Sequence, residues 1–217
     1  MKVLELFAGS RSFSKVAEKY GYETYSTDYK DFDNIDQVCD IFDFDLDKMM
    51  KDFGKPDIVW ASPPCTYFSV ASIGHHWHPN HTPKTKEARK GVHIVQHTLK
   101  IINKINADYV FIENPRGKLR KLNLLNDYFR RTVCYCKYGD DRMKPTDIWT
   151  NWWMWISREM CHNGNKNCHH QPAPRGSQTG TQGLKGDYLR SIVPEQLCEE
   201  ILESILKGWD MFLYYKY

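Results

Sequence analysis

The first half of the chain alternates short apolar runs with stretches of helical periodicity, and this alternation limits the possible folds more than any other feature. Apolar runs that predict β-strands occupy residues 3–7, 23–27, 58–61 and 109–112. Between them, apolar residues recur every three or four positions, most clearly from Ala88 to Ile102. Strands that alternate with helices predict an α/β fold, in which helices flank a mostly parallel sheet.

The remaining elements are read from the same patterns. Ser12 is the expected N-cap of the first helix, and Pro194 precedes the last one. Residues 66–85 and 157–190 show no periodicity and are predicted to be loops. Further helices are expected at 46–53 and 119–129, and further strands at 132–136 and 148–155.

Size and composition fit one globular domain. The chain has 217 residues, of which 41% are hydrophobic and 26% charged, so disorder and coiled coil are excluded. No apolar run approaches the ~18 residues of a membrane helix, and no signal peptide is recognisable. Seven scattered cysteines without an export signal indicate thiols, metal ligands or a nucleophile rather than a disulfide framework. We therefore expect a cytoplasmic protein without membrane contact.

Charge is distributed unevenly along the chain. Residues 1–60 hold 8 Lys and Arg against 13 Asp and Glu, whereas residues 75–130 hold 11 against 4. A basic region on an otherwise mixed surface favours a nucleic-acid partner. A solvated, lysine-rich face is the alternative that charge alone leaves open.

Gly9, Asp28, Cys65 and Glu113 directly follow four of the predicted strands. Ligands of parallel sheets bind where the carboxyl ends of the strands meet, so these residues are expected to share one site. Gly9 allows the backbone to approach a ligand closely, and Asp28 can accept hydrogen bonds from two ribose hydroxyls. The alternative for Asp28 is an ordinary surface carboxylate.

Cys65 follows two prolines that stiffen the chain, as a held and exposed nucleophile requires. A buried structural thiol is the alternative, but the flanking Pro, Thr, Tyr and Ser residues favour the nucleophile. Glu113 ends an apolar strand, where a carboxyl group is costly to bury unless it is paired or functional. It is either a general acid with a raised pKa or a cap of the following helix.

Three motifs in this order and spacing resemble the DNA cytosine-5 methyltransferases. They are the Leu-Glu-Leu-Phe-Ala-Gly sequence of residues 4–9, the segment 57–65 that ends in Ser-Pro-Pro-Cys, and Phe-Ile-Glu-Asn-Pro at 111–115. The resemblance covers roughly residues 1–155 and resumes at residues 192–197. It implies a Rossmann-like, class I methyltransferase fold that binds S-adenosylmethionine, with DNA as the substrate.

The resemblance also implies roles for individual residues. Cys65 is expected to add to carbon 6 of cytosine, Glu113 to contact ring nitrogen 3, and Arg142 to represent the family's Gln/Arg-rich motif. The target base must leave the duplex, and loop 66–85 is expected to close over it. The expected cofactor-binding residues are Phe7, Gly9, Ser10, Asp28, Asp40, Pro63 and Ser191. The expected DNA-binding residues are Ser69, His75, His76, Trp77, Arg116, Arg175 and Gln178.

The chain departs from the family in its first motif, its closing motif and its size. Ser10, Arg11 and Ser12 stand where the family has further glycines, and Ser191 replaces an Asn. The family's sizeable recognition domain has only residues 157–190 as its counterpart. We therefore expect a catalytic region at 1–156, a short insert at 157–190 and a returning C-terminal helix at 191–217, an arrangement similar to compact, phage-like enzymes of a bacterial or phage-infected cell.

The short insert contains candidate zinc ligands and candidate DNA contacts. Cys161, Cys168 and His169 are the predicted ligands, with Cys134 and Cys136 as possible additions. A polar loop with reduced thiols is the alternative. The run at 175–183 is rich in hydrogen-bond donors that suit phosphates or base edges, although an idle surface loop has the same composition.

Two other functions remain open from the sequence. One is a nucleic-acid-binding protein that has lost catalysis, and the other is the same chemistry on RNA or a free cytosine nucleotide. The presence of both Cys65 and Glu113 argues against the first. The basic region favours a polyanion over a free nucleotide.

Overall fold

A computed structural model of the chain describes residues 1–70, 73–172 and 187–214. The predicted DNA contacts Arg175 and Gln178 lie outside this part of the chain, as does the whole donor-rich run at 175–183. Within it, seven strands form one sheet: β1 (Lys2–Leu6), β2 (Glu23–Asp28), β3 (Gln37–Val38), β4 (Ile58–Ala61), β5 (Tyr109–Pro115), β6 (Phe129–Cys134) and β7 (Pro145–Thr150). The helices are α1 (Ser12–Lys19), α2 (Leu46–Asp52), α3 (Ile73–His76), α4 (Lys86–Ile105), α5 (Asp187–Ser191) and α6 (Glu195–Tyr214).

The strand order is β3-β2-β1-β4-β5-β7-β6. Strands β1 to β5 run parallel, and β7 runs antiparallel between β5 and β6. The carboxyl ends of β1, β2, β4 and β5 therefore meet at one edge, together with the start of β7. This arrangement confirms the mostly parallel sheet that the sequence pattern predicts, and it brings the four predicted strand-end residues to the same edge.

Helices cover both faces of the sheet because residues within its strands alternate between two cores. In β4, Val59 belongs to the core under α4, whereas Trp60 belongs to the core under α1 and α6. Phe13 of α1 stacks on the Trp60 ring at 4.7 Å between centroids. Apolar burial on both faces fixes the sheet between the helices, and each buried side chain of this size contributes roughly 1.5–3 kcal/mol.

The first helix begins with an unusual cap. The N-cap is Arg11, whose backbone lies in the left-handed region at φ +54°, and not the predicted Ser12. The buried Glu5 carboxylate in β1 accepts hydrogen bonds from the backbone N–H groups of Phe13 and Ser14, at 3.3 and 2.8 Å. A carboxylate from the neighbouring strand thus satisfies the open N–H groups of the first turn.

The predicted helix at 119–129 is wrong. Only a single 3₁₀ turn forms, at Leu119–Lys121, and the chain then turns until β6 begins at Phe129. Arg120 makes a bidentate ion pair with the fully buried Asp147 of β7, at 2.6 and 2.9 Å. This pairing holds the segment against the sheet, while Asn123, Asn126 and Asp127 favour turns over helix.

The other boundaries shift by a few residues. The strand expected at 132–136 runs from Phe129 to Cys134, and the strand expected at 148–155 runs from Pro145 to Thr150. Residues 135–138 form a 3₁₀ turn instead of continuing the strand. The predicted loop 66–85 contains the short helix α3 and a bridge between Trp77 and Pro83. No helix in the described ranges is both long and apolar enough to cross a bilayer.

Candidate active site

The turn after β1 and the end of β2 form the first part of the site. Gly9 lies at φ +50°, and its N–H donates to Asp28 Oδ2 at 3.0 Å. Asp28 Oδ1 accepts a second hydrogen bond from the Lys30 backbone at 3.0 Å. Burial raises the pKa of Asp28, although these two hydrogen bonds oppose the shift. The sequence-predicted pair Gly9 and Asp28 is therefore in direct contact.

A small cavity opens beside this turn, and its lining suits a nucleoside. Carboxylates and apolar groups both face it, so hydroxyl or amino groups and a flat ring find partners there. Phe7, Asp28 and Asp40 line it as predicted for cofactor contacts, whereas Pro64 lines it in place of Pro63. Asp40 Oδ1 also caps the 3₁₀ turn at Ile41–Asp43 by accepting the Phe42 N–H at 3.1 Å.

The returning C-terminal segment closes over the Gly9 turn. Ser191 Oγ lies 3.5 Å from the point that a Cβ on Gly9 would occupy, and it donates to the Tyr188 carbonyl at 2.7 Å. Ser10 is buried, and its hydroxyl is 2.7 Å from that of Ser12. Ser12 Oγ in turn accepts the Val193 N–H at 3.1 Å. The predicted residues Gly9, Ser10 and Ser191 thus meet in one place.

The loops that follow β4 and β5 are joined to each other. The Asn114 side-chain amide donates to the Pro63 carbonyl at 2.8 Å, two residues before Cys65. The Lys118 N–H donates to the Phe68 carbonyl at 2.6 Å, and a Cβ on Gly117 would lie only 2.1 Å from that same oxygen. The strand-end cysteine and glutamate therefore belong to two loops in close and fixed contact.

Glu113 lies buried in this contact. Its Oε1 accepts a hydrogen bond from the Tyr135 hydroxyl at 3.0 Å. Burial raises the pKa of Glu113, while Lys144 and the Tyr135 hydrogen bond oppose the rise. A raised pKa keeps the carboxyl group protonated at a pH where an ordinary glutamate has lost its proton. The alternative interpretation of Glu113 as a helix cap is excluded, because no α-helix follows it before residue 129.

Lys144 is the site residue that sequence reasoning missed. Its Nζ lies 4.0 Å from Glu113 Oε1 and 4.5 Å from the centre of the Tyr135 ring, and it donates to the Arg190 carbonyl at 2.8 Å. Burial lowers the pKa of Lys144, and Glu113 and Cys65 oppose this shift. Its position just before β7 could have pointed to this role, because a strand antiparallel to β5 begins at the edge where β5 ends.

Cys65 lies in the same field of charges. As a whole residue, Cys65 is partly exposed. Burial raises the pKa of the thiol, Lys144 lowers it, and Glu113 raises it. The thiol and the two charged groups are therefore electrostatically coupled, and the state of one sets the proton affinity of the others.

Arg142 lies close enough to Glu113 to lower the pKa of that carboxyl group, but its hydrogen bonds go to other groups. Its guanidinium is buried and forms an ion pair with Asp140. The other nitrogens donate to the carbonyls of Leu189 and Ile192, both at 3.1 Å. Arg142 thus ties the closing segment to the turn before β7, and the cation beside Glu113 is Lys144. The catalytic role expected of Arg142 stays a prediction, while its contacts suit a residue that positions the closing segment.

The loop after Cys65 holds its aromatic residues in different environments. Trp77 is 4% exposed, its ring lies 5.8 Å from that of Phe68, and its Nε1 donates to the Tyr67 carbonyl at 2.6 Å. In this structure the indole belongs to the core and is not available to a duplex, which corrects the prediction for Trp77. His76 is half-buried against Thr85, with 2.8 Å between Nδ1 and Oγ1.

The other predicted DNA contacts lie on the outside of the same loops. His75 and Arg116 are exposed, and Ser69 is partly exposed. Near them, the first turns of α4 and the chain before it present exposed basic side chains: Lys84, Lys86, Arg89 and Lys90. The basic segment of the sequence therefore forms a surface beside the mouth of the site.

A second cluster of reactive side chains lies beyond the end of β6, at the same edge of the sheet. Ligand atoms of Cys136, Cys161, Cys168 and His170 all lie within 4.8 Å of one another. Cys161 and Cys168 were predicted, and Cys136 was named as an addition. His169 was predicted wrongly, because its Nε2 lies 3.0 Å from the Asp140 carbonyl while His170 faces the thiols. Cys134 contacts the backbone of Cys161 and is not among the four.

The chain resembles known methyltransferases in sequence and fold. The C-5 cytosine-specific DNA methylase family matches residues 1–129. The protein named "Probable DNA (cytosine-5)-methyltransferase" of Frog virus 3 (isolate Goorha) is 29% identical over 222 residues, covering 94% of this chain and 99% of the viral protein.

A solved structure adds the fold comparison. It is a protein encoded within a prophage of E. coli and described as a DNA modification methyltransferase. It matches with a TM-score of 0.51 and 12% identity, over 75% of this chain and 52% of that one. The present chain thus spans about half the length of that protein, and the match confirms the predicted Rossmann-like methyltransferase fold. From the family match and this site, the chain belongs to the C-5 cytosine-specific DNA methylase family, and its enzyme class is DNA (cytosine-5)-methyltransferase.

Proposed function

We propose that the protein transfers a methyl group from S-adenosylmethionine to carbon 5 of cytosine in DNA, through a covalent adduct with Cys65. The observation that carries the proposal is the junction of the two strand-end loops. Asn114 binds the Pro63 carbonyl at 2.8 Å, and Gly117 packs against the Phe68 carbonyl. This junction supports a thiol and a carboxyl group of raised pKa as one preorganised pair, as attack on a ring and protonation of that ring require.

Carbon 5 of cytosine is a weak nucleophile, and Cys65 is the group that activates it. The thiolate adds to carbon 6, which forms a sulfur–carbon bond and makes the ring electron-rich at carbon 5. The resting thiol has a raised pKa, so it must give up its proton to solvent before the sulfur attacks the base. Lys144 lowers the pKa of Cys65 and so favours the thiolate. Of the positive side chains that act on this thiol, Lys144 has the largest effect on its pKa.

Glu113 completes the activation from the other side of the ring. Its raised pKa leaves a proton to share with ring nitrogen 3 as negative charge develops there. Tyr135 holds the carboxyl group in place by its 3.0 Å hydrogen bond. After methylation, carbon 5 loses its proton, the sulfur–carbon 6 bond breaks, and Cys65 leaves as a thiolate.

The lining of the cavity at the Gly9 turn suits the nucleoside part of S-adenosylmethionine. Its carboxylates, Asp28 and Asp40, suit hydroxyl and amino groups, and Phe7, Ile41 and Pro64 provide apolar faces for a purine. Because Gly9 has no side chain, the backbone of this turn can approach a ligand directly. The bound cofactor supplies an electrophilic methyl group. Pro64 belongs to the loop that carries Cys65, so cofactor and nucleophile share one wall.

DNA is the substrate that the surface favours. Exposed Lys86, Arg89 and Lys90 suit phosphate contacts, and Arg116 lies on the loop that follows Glu113. A cytosine inside a duplex is stacked and paired, so a thiol cannot reach its carbon 6 there. We therefore include flipping of the target base in the proposal.

The test uses a duplex in which the target cytosine carries fluorine at carbon 5. The final elimination removes the group at carbon 5 as a cation, which hydrogen permits and fluorine does not. With S-adenosylmethionine, the native protein should therefore stay attached to this duplex through a denaturing gel, with Cys65 identified as the attachment by peptide mass spectrometry. The matched cytosine duplex should give no stable adduct.

Two outcomes would contradict the proposal. Attachment through another residue would remove Cys65 from the mechanism, and equal trapping of the Cys65→Ser variant would do the same. Trapping on a matched RNA but not on DNA would mean that RNA is the substrate, and the proposed chemistry would stand.

A further inference from the structure

We propose that Cys136, Cys161, Cys168 and His170 bind one zinc ion, which fastens the insert after β7 to the β6–β7 hairpin. Cys136 lies in the 3₁₀ turn Tyr135–Tyr138 that follows β6, and the other three ligands lie in the insert. The proposal concerns a site separate from the strand-end residues. It stands whether or not methyl transfer follows the proposed route.

The ligand set and its spacing match tetrahedral zinc. Three thiolates and one imidazole are a common structural set. With zinc–sulfur bonds near 2.3 Å, ligand atoms at the corners of a tetrahedron lie about 3.7 Å apart. Cys161 Sγ and His170 Nδ1 lie 3.7 Å apart, and all four ligand atoms lie within 4.8 Å of one another. The side chains are already gathered at the separation that a bound ion would impose.

His170 provides a second observation that points to a ligand. The residue is 4% exposed, and its Nε2 has no hydrogen-bond partner among the described residues. Burial of a polar ring nitrogen without a partner costs free energy. A strong bond at the other ring nitrogen, Nδ1, would offset that cost, and Nδ1 faces the thiols, 3.7 Å from Cys161 Sγ.

The part of the insert that the structure describes up to residue 172 also lacks a hydrophobic core that could hold it in place. From residue 156 to residue 172, only Cys161 and His170 are buried. The buried cluster beneath them consists of sulfur-containing side chains, namely Cys134, Cys136 and Cys161, with Met143 and Cys168 at its edge. A short segment without apolar burial needs a cross-link to stay folded, and metal binding supplies that free energy.

Hydrogen bonds around the thiols resemble those that orient metal ligands. The Asn165 amide donates to Cys161 Sγ at 3.5 Å, and Cys134 contacts the Cys161 backbone at 3.4 and 3.5 Å. Partners of this kind fix the direction of a ligand's sulfur lone pairs. Cys134 therefore acts as a positioning residue for the cluster.

The location gives the zinc a structural consequence. His169 and Gln171 contact the carbonyls of Asp140 and Asp141, at 3.0 and 3.2 Å, just before Arg142. A zinc ion bound to Cys136 therefore holds the insert beside the turn that leads to Lys144. If the insert recognises DNA, the zinc ion stabilises it in the way that a hydrophobic core stabilises a larger recognition domain.

The experiment compares two adjacent histidines by elemental analysis of the purified full-length protein, expressed in zinc-supplemented medium. We expect about one zinc per chain in the native protein and in His169→Ala, and less than about 0.1 in His170→Ala. His169→Ala is the matched control because His169 lies outside the cluster. The proposal would be overturned if the native protein contained zinc and His170→Ala retained all of it. A native protein without zinc would overturn it too.

A second measurement uses the native protein alone, so it does not depend on the folding of a variant. Cobalt that replaces the ion should give thiolate-to-cobalt absorption with the intensity of three sulfurs and a tetrahedral visible band. Chelation should expose Cys136, Cys161 and Cys168 to alkylation and leave the buried Cys198 protected. A disulfide between any two of the three thiols in protein purified without oxidant would overturn the proposal.

Discussion

Three ionisable residues, Cys65, Glu113 and Lys144, control one another at the active edge of the sheet. Burial raises the pKa of the thiol and of the carboxyl group, and lowers the pKa of the lysine, so burial favours the neutral form of each. The charges of the three groups oppose this effect in two of the pairs. Lys144 lowers the pKa of Cys65 and of Glu113, and both of these raise the pKa of Lys144. A substrate that enters this set meets groups whose protons are easily redistributed.

The coupling predicts opposite effects of two substitutions on the reactivity of the Cys65 thiol. Lys144 lowers the pKa of Cys65, so Lys144→Met should slow its alkylation by iodoacetamide at a fixed alkaline pH. Glu113 raises that pKa, so Glu113→Gln should accelerate the alkylation. In the native protein, the rate should rise with pH to a midpoint above that of an ordinary thiol, because the folded pKa is raised. Peptide mass spectrometry of the Cys65 peptide measures each rate, and the same direction in both variants would contradict the coupling.

Asp28 gives a second prediction for a single residue. Its carboxylate accepts the Gly9 N–H and lines the nucleoside cavity, so Asp28→Ala should weaken S-adenosylmethionine binding by about 1–3 kcal/mol, the scale of hydrogen bonds to a charged group. Asp31→Ala, which changes an exposed acid three residues later, is the matched control. Calorimetry on both variants measures the difference, and equal affinities would place the ribose elsewhere.

At the scale of elements, the catalytic geometry depends on the contact between the loops that follow β4 and β5. Gly117→Ala should disrupt this contact, because the new Cβ would lie 2.1 Å from the Phe68 carbonyl. We expect a loss of about 1–3 kcal/mol in unfolding free energy, as for other overpacked sites, and a fall in methylation rate of more than tenfold.

Gly74→Ala in α3 is the control for the Gly117 substitution, because a Cβ there meets no atom within 4 Å. Chemical denaturation and a turnover assay measure the two effects. A Gly117→Ala enzyme with native rate and stability would mean that the two loops do not need to remain in contact.

The elements also show what the sequence could predict. Gly9, Asp28, Cys65 and Glu113 were predictable because a parallel sheet brings its strand ends to one edge. The helix at 119–129 was not, because a bidentate pair between Arg120 and Asp147 joins positions 27 residues apart and overrides local periodicity. Trp77 was assigned wrongly and Lys144 was missed for the same reason. The packing of the loop determines the position of Trp77, and an antiparallel strand determines the position of Lys144.

At the scale of the whole molecule, the basic surface beside the site should supply much of the affinity for DNA. Each phosphate neutralised steepens the slope of log affinity against log salt by about 0.9, so changing Lys86, Arg89 and Lys90 together to Ala should make it shallower by up to about 2.7. Lys51→Ala, in an acidic region, should leave the slope unchanged. Fluorescence anisotropy over a salt series measures the slopes. An unaltered slope in the triple variant would place the phosphate contacts on another surface.

The central claim is that this chain methylates carbon 5 of cytosine in DNA with Cys65 as nucleophile. Mass spectrometry of nucleosides from the DNA of expressing cells tests it most directly, because chromatography separates 5-methylcytosine from its N4-methyl isomer. The account predicts 5-methylcytosine with the native protein and none above background with Cys65→Ser at equal expression. N4-methylcytosine with the native protein, or undiminished 5-methylcytosine with Cys65→Ser, would contradict it.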